Sequence, residues 1–295
     1  MNVLSLFDGI SCGQVALHRT ELEVDKYYAS EIDPNAIKVT QERFPYTIQL
    51  GDVSKITSDM ISEPIDLLMG GSPCQGFSMA GKKMNFEDPR SKLFFEFVRL
   101  LNELKPKYFL LENVKMDQQS ESVITELLGV EPIKINSALV SAQNRVRLYW
   151  TNIPNVTQPK DKGICLGDII DFESTRQWVA IERIQSHTIT QNYLQYDISG
   201  KGYKSQDQRA FYLHGKHGTL PHAGAKSKVK FTNGAVWSSG ETSQIGMLTV
   251  NEVERLQTLK KDYTKVGTIS DSNRMELIGN GWTVDVISHI LGFIG

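Results

Sequence analysis

Three stretches of this chain carry residue types whose spacing could do covalent chemistry on a ring. The first is Gly70-Gly71-Ser72-Pro73-Cys74-Gln75-Gly76-Phe77-Ser78, which follows an apolar run at 65–69. A cysteine acts as a nucleophile through its thiolate. Here it comes after a proline in a glycine-rich loop, a setting that would fix where the sulfur points. The second is Glu112-Asn113-Val114, after the apolar run 108–111. If both runs are strands of one sheet, the Cys74 thiol and the Glu112 carboxyl face one crevice. That pair suits attack on an electron-poor ring, with the carboxyl group stabilising a ring nitrogen. The third is Gln143-Asn144-Arg145-Val146-Arg147-Leu148-Tyr149-Trp150. On a strand, Arg145 and Arg147 would point to one face, where two guanidinium groups can hold a phosphate or a carboxylate by paired contacts.

A further set looks like a nucleoside pocket. Phe7-Asp8-Gly9-Ile10-Ser11-Cys12-Gly13 follows a short apolar run. Glycines at such a strand-to-helix turn let a ligand approach the backbone, and the helix start offers free N–H groups. Glu31 closes the next strand-like run and can accept ribose hydroxyls. Asp52 closes the third and can meet an adenine amine. In an open α/β sheet the ligand lies beyond the carboxyl ends of the strands. The spacing departs from GxGxxG, and either NAD or S-adenosylmethionine suits it.

The elements that must position these residues alternate along the first half of the chain. Strands are expected at 3–7, 27–30, 47–50, 65–69 and 108–111, and helices at 11–18, 34–44 and 93–104. This alternation predicts a parallel sheet covered on both faces. Residues 156–245 differ, with short apolar runs and frequent glycine. Between 201 and 230 the basic residues are Lys201, Lys204, Arg209, Lys216, Lys226, Lys228 and Lys230, against Asp207 as the sole acid. A separate β-and-loop domain with a basic face is expected there. After Leu248 helical patterning returns, with Thr249 and Glu252 spaced as a capping box, and a last apolar helix is expected at 282–293. The expected division is therefore 1–155, 156–245, and 246–295 returning to the first domain.

Composition sets outer bounds. The chain has 295 residues, 40% of them hydrophobic and 22% charged, which suits a globular protein. A formal net charge of −2 leaves nucleic-acid binding to a local patch. The three cysteines, Cys12, Cys74 and Cys165, form neither a disulfide framework nor a zinc knuckle, so no metal is expected and a reducing cytoplasm fits. The N-terminal run lacks the basic start and length of a signal peptide or membrane span.

Taken together, the order Phe-x-Gly, Pro-Cys-Gln, Glu-Asn-Val and Gln-x-Arg-x-Arg closely resembles the DNA (cytosine-5)-methyltransferase family, of bacterial or phage type with features of the mammalian de novo catalytic domain. Leu248-Thr249-x-x-Glu252-x-x-Arg255-Leu256-Gln257 and Ile278-Gly279-Asn280-Gly281-Trp282 are similar to its last two motifs. The resemblance covers residues 1–155 and 246–295. It implies a class I S-adenosylmethionine-dependent methyltransferase fold, Rossmann-like and mostly parallel, with a small target-recognition domain at 156–245. Phe7, Gly9, Glu31, Ile32, Asp52, Val53, Leu93, Asn280 and Trp282 would hold S-adenosylmethionine, released as S-adenosylhomocysteine. Gly281 stands where the family often carries a polar residue. Cys74 would add to carbon-6 of a flipped cytosine, Glu112 would bond the ring nitrogen and amine, and Arg147 with Arg145 would steady the base and its phosphate. Duplex DNA would be the partner, met by Ser78, Lys82 and Lys83 in a closing loop and by Lys216, Lys226, Lys228 and Lys230. A cytoplasmic, nucleoid-associated enzyme, working as a monomer or beside a cognate restriction enzyme, is the resulting picture. The alternatives are an RNA cytosine methyltransferase or an inactive regulatory homologue.

Overall fold

The computed structural model describes residues 1–72, 89–171, 173, 178–180, 186–189, 193–197, 209–217, 220, 230–232 and 244–295. Cys74, Ser78, Lys82, Lys83, Lys226 and Lys228 lie outside the described residues. The chain divides into two compact units. The first comprises Met1–Asn136, Val146–Gln158 and Val284–Gly295; the second comprises Ser137–Arg145 and Pro159–Thr283.

The first unit is built on seven strands. These are Asn2–Leu6 (β1), Lys26–Ser30 (β2), Ile48–Gln49 (β3), Leu67–Gly70 (β4), Tyr108–Val114 (β5), Ile133–Asn136 (β6) and Val146–Thr151 (β7). Their order is β3-β2-β1-β4-β5-β7-β6. The first five run parallel, and β7 pairs antiparallel with both β5 and β6. The mostly parallel, Rossmann-like sheet expected from the sequence is therefore present, with an antiparallel edge.

Side-chain alternation along these strands serves two layers. Leu4, Leu6, Tyr28, Leu68, Phe109, Leu111, Leu148 and Trp150 join one buried cluster. Into it pack Phe94, Phe97 and Leu100 of Pro89–Leu104 (α3), and Ile124 and Leu128 of Gln118–Leu128 (α4). The opposite layer is met by Cys12–Arg19 (α1). A Cβ at Gly13 would stand 2.5 Å from the Met69 methyl and 3.0 Å from the Tyr27 hydroxyl, so the bare glycine lets α1 lie close on β4 and β2. Pro34–Arg43 (α2) starts where Asp33 accepts the amide of Asn35 at 2.8 Å, with proline at the first helical position, where its missing N–H costs little.

The second unit holds a six-stranded sheet. Its strands are Trp178–Ala180 (β8), Ser186–Ile189 (β9), Tyr193–Asp197 (β10), Arg209–Tyr212 (β11), Lys230–Thr232 (β12) and Gln244–Met247 (β13), in the order β8-β13-β12-β11-β10-β9. This agrees with the β-rich character expected for 156–245. Val250–Leu256 (α5) and Asp271–Asn280 (α6) also belong to this unit.

The returning segment is shorter than expected. Only Val284–Gly295, with Val284–Leu291 (α7), lies in the first unit. There Asp285 pairs with Arg19 and Ser288 donates to the carbonyl of Ala16, joining α7 to α1. Polar bonds tie 246–283 into the second unit. The capping-box residue Glu252 accepts the amide of Asp171 at 2.8 Å, and Arg255 donates to the carbonyl of Ile169 at 2.7 Å. The capping box itself forms as the sequence predicts: Thr249 accepts from the amide of Glu252, and Glu252 accepts from that of Thr249.

Candidate active site

Six of the expected site residues, Phe7, Gly9, Glu31, Ile32, Asp52 and Val53, sit where β1, β2 and β3 end. After β1 the backbone takes a tight path, with positive φ at Phe7 (56°), Gly9 (58°) and Ser11 (56°). Glycine tolerates this region freely, whereas Phe7 and Ser11 each bear about 1–2 kcal/mol of strain there. The turn brings the amide of Gly9 to donate to Glu31 Oε2 at 2.8 Å. Glu31 Oε1 accepts the amides of Ile32 and Asp33 at 2.7 and 2.8 Å. Three backbone donors thus fix this carboxylate, and of its roughly four lone-pair sites one remains on Oε2 among the described residues. Oε2 is therefore the atom of Glu31 best placed to accept a ribose hydroxyl. Ile32 stands beside it, 74% exposed, an aliphatic surface suited to the flat face of a purine. Asp52 Oδ1 accepts the amide and the hydroxyl of Ser54 at 3.0 and 2.8 Å, and these bonds hold its pKa below the usual carboxylate value. Val53 is buried behind it, and Leu93 packs on the core cluster. A bare-glycine turn, a fixed carboxylate, an exposed aliphatic side chain and a second carboxylate fit an adenosine moiety.

Beneath the turn lies Asp8, which sequence reading left without a role. It is buried, accepts the Tyr27 hydroxyl at 2.7 Å and binds the Ser11 hydroxyl. Burial raises its pKa to about 6 although hydrogen bonds from Ser11, Ser5 and Tyr27 pull the other way. A carboxyl group raised in the folded state favours folding below its unfolded pKa of 3.8, and that contribution is lost as pH rises to about 6. The difference corresponds to about 3 kcal/mol. Asp8→Asn is therefore expected to lose this slope. Denaturant titrations at pH 4 and pH 7 should show wild type weakening relative to the variant as pH rises, and parallel profiles would refute the assignment.

The second group of site residues sits at the ends of β4 and β5. These strands are parallel, with Gly70 in register with Leu111. Glu112 is 8% exposed, and its Oε1 is 2.9 Å from Arg147 Nε on β7. The neighbouring Asn113 donates to the Ser72 hydroxyl at 3.2 Å, tying the end of β5 to the segment that leads into Pro73 and Cys74. That brace was not foreseen, although Glu-Asn-Val was singled out as a unit.

Arg145 departs from expectation. β7 starts at Val146, so strand alternation does not extend to Arg145. Arg147 belongs to the first unit, whereas Arg145 is buried in the second and donates to the carbonyls of Gly279 and Gly281 at 3.4 and 3.2 Å. The amide of Gln257 binds the carbonyls of Ile278 and Gly281, both at 3.2 Å. The turn carrying Asn280 and Trp282 is thus held from two sides within the second unit. Arg145 supports this turn, where a phosphate or base contact had been expected.

Lys216 departs as well. Its ammonium donates to the carbonyls of Ala138 (2.8 Å), Ser141 (3.2 Å) and Ile164. Composition counted it into a basic face, but these bonds make it a clamp on backbone. Lys216→Met should cost about 2–4 kcal/mol of stability, since charged hydrogen bonds are lost. The salt slope of DNA binding should stay unchanged, whereas losing a phosphate-contacting lysine reduces it by about one. A reduced slope with unaltered stability would restore Lys216 to the DNA surface. For Lys230 the structure gives only its place in β12.

The first unit thus combines a mostly parallel α/β sheet, a tight turn after β1, a carboxylate after β2 and a buried Glu–Arg pair at the end of β5. Residues 1–128 match the model of the C-5 cytosine-specific DNA methylase family. The chain is 40% identical over 161 residues to the type II methyltransferase M1.ScrFI of Lactococcus lactis subsp. cremoris, a match spanning 50% of this chain and 40% of that protein. It is 38% identical over 166 residues to the orphan methyltransferase M.SPRI of Bacillus phage SPR, spanning 52% of this chain and 38% of the phage protein. The matches thus span about two-fifths of these relatives. Among solved structures, Entamoeba histolytica methyltransferase EhMeth superposes with a TM-score of 0.74 at 16% identity, covering 99% of this chain and 97% of that one. At that identity the likeness speaks for the fold. No described helix is long and apolar enough to cross a membrane.

Proposed function

We propose that the protein transfers a methyl group from S-adenosylmethionine to carbon-5 of cytosine in duplex DNA. The observation that carries this reading is the buried Glu112–Arg147 pair at the end of β5, beside the end of β4 that leads into Pro73-Cys74-Gln75. Carbon-6 of cytosine is out of reach in a duplex, so the base must be extruded, at a cost of a few kcal/mol.

The Cys74 sulfur forms a bond to carbon-6, and the ring electrons move to make carbon-5 nucleophilic. In its acid form Glu112 donates its proton to the ring nitrogen and accepts from the exocyclic amine as that charge develops, and Arg147 holds Glu112 in place. S-adenosylmethionine supplies the electrophilic methyl and leaves as S-adenosylhomocysteine. Loss of the carbon-5 proton and expulsion of Cys74 then restore the aromatic ring. Gly9, Glu31, Ile32 and Asp52 would bind the adenosine part. The finer reading is a restriction-modification or phage-type modification enzyme, acting on a specific sequence read by residues 156–245.

Incubation with methyl-labelled S-adenosylmethionine and either duplex DNA or transfer RNA tests the substrate class. Label is expected in DNA, on carbon-5 of cytosine. Label confined to RNA would overturn the choice of DNA.

A further inference from the structure

The turn after β1 contains two non-glycine residues in left-handed backbone, Phe7 and Ser11, on either side of Gly9. Strain of this kind persists only where the surroundings over-determine it. The surroundings here are a continuous polar chain through the interior of the first unit. The Tyr27 hydroxyl donates to Asp8 Oδ1 at 2.7 Å, and the Ser11 hydroxyl donates to Asp8 Oδ2. The Gln14 amide then donates to Ser11 Oγ at 3.1 Å and to Thr47 Oγ1 at 2.7 Å. The chain thus joins β2, the turn, α1 and the segment before β3. From outside, the Gly9 peptide is gripped again, its N–H by Glu31 and its carbonyl by the Thr40 hydroxyl at 3.3 Å. The amide of Asp8 itself donates to the carbonyl of Ser30 at 3.0 Å.

Among the described bonds, the Asp8 side chain ties the C-terminal end of the strained segment to the neighbouring strand. One carboxylate oxygen reaches the neighbouring strand through Tyr27, and the other reaches Ser11, where the helix begins. Neither Ser11 nor Gly9 supplies a side chain that could do the same.

We propose that Asp8 is the positioning residue of the cofactor pocket: bridged between Tyr27 and Ser11, it holds the Phe7–Ser11 turn in its left-handed path so that the Gly9 amide keeps the Glu31 carboxylate in place for the adenosine. This rests on the reading of that turn as the S-adenosylmethionine site. Asp8 touches neither cofactor nor base in this assignment. Its loss should therefore weaken cofactor binding while sparing turnover once the pocket is filled.

The test compares wild type with Asp8→Ala, Asp8→Asn and Tyr27→Phe. Affinity for S-adenosylhomocysteine, kcat at saturating S-adenosylmethionine, and amide hydrogen exchange of Gly9 without any cofactor are measured. Asp8→Ala should weaken S-adenosylhomocysteine at least about 30-fold, a shift of about 2 kcal/mol, with kcat within about threefold. Gly9 exchange should accelerate about tenfold or more, without cofactor. Asp8→Asn keeps an acceptor for Tyr27 and a polar partner for Ser11, and should recover most of the affinity. Tyr27→Phe removes one anchor without touching the turn and should fall between the two, which keeps the test valid if Asp8→Ala does not fold. Unchanged affinity and exchange in both Asp8→Ala and Tyr27→Phe, with wild type binding normally, would overturn the positioning role alone. A wild type that binds no S-adenosylhomocysteine would overturn the pocket and the proposal with it.

Discussion

Cys74→Ser is expected to abolish methyl transfer, by at least about four orders of magnitude, while S-adenosylhomocysteine binds within about threefold of wild type. The size follows from the chemistry. Cytosine carbon-5 is a poor nucleophile until a thiolate adds at carbon-6, and a serine hydroxyl is scarcely ionised near neutral pH, whereas a cysteine is a few per cent thiolate and intrinsically far more nucleophilic. The separation of effects follows from topology. The proposed adenosine contacts come from the ends of β1, β2 and β3, and Cys74 belongs to the segment after β4. Transfer measured with labelled cofactor, and binding measured by calorimetry, give the two readouts. Loss of cofactor binding in the variant would make Cys74 structural.

The second large effect is expected at Glu112. Glu112→Gln should lower kcat by about 10²–10⁴-fold, the range that positioned acid–base and charge-stabilising groups supply. The variant keeps the side chain's shape and still offers Arg147 an oxygen, but it cannot carry the charge that the pair balances. Because Glu112 and Arg147 are both largely buried, removing one charge also strands the other. Breaking a pair of this kind costs about 3–5 kcal/mol, and the retained amide oxygen should keep the loss toward the lower end. Arg147→Met should be destabilised comparably, and the double variant should recover part of that stability without recovering turnover. A Glu112→Gln enzyme within tenfold of wild-type kcat would remove Glu112 from the mechanism.

Much of the frame was legible in the sequence because period and punctuation agreed. β1, β2, β4 and β5 read as short apolar runs ending at Asp-Gly, Glu, Gly-Gly or Glu-Asn, and those ends carry the candidate site. The failures have physical causes. α6 buries Arg274 alongside Leu277 and Ile278, so no apolar stripe announces it. Arg274 is instead neutralised inside by Glu254, with Thr264 accepting from it as well, and such pairing is invisible without coordinates. α4 has its cap residue at Asp117 and Gly129 at its end, but Gln118 to Glu121 open it with polar residues that mask the period. The charge of Lys216 was legible and its direction was not, because an ammonium satisfied by three carbonyls has the same composition as one facing phosphate. Arg145 was assigned by strand alternation one residue before the strand begins. Asp8 has no sequence signature of its role, because a carboxyl group beside glycine looks like turn chemistry and only its burial with Tyr27 and Ser11 shows otherwise.

The most direct test of covalent attack by Cys74 on cytosine uses duplex DNA of random sequence carrying 5-fluorocytosine. With fluorine at carbon-5 no proton can leave after methylation, and the thioether to carbon-6 cannot be expelled. Wild type with S-adenosylmethionine should form a protein–DNA complex that survives denaturing electrophoresis, and Cys74→Ser should form none. An enzyme that methylates ordinary cytosine DNA yet yields no such complex would contradict the account.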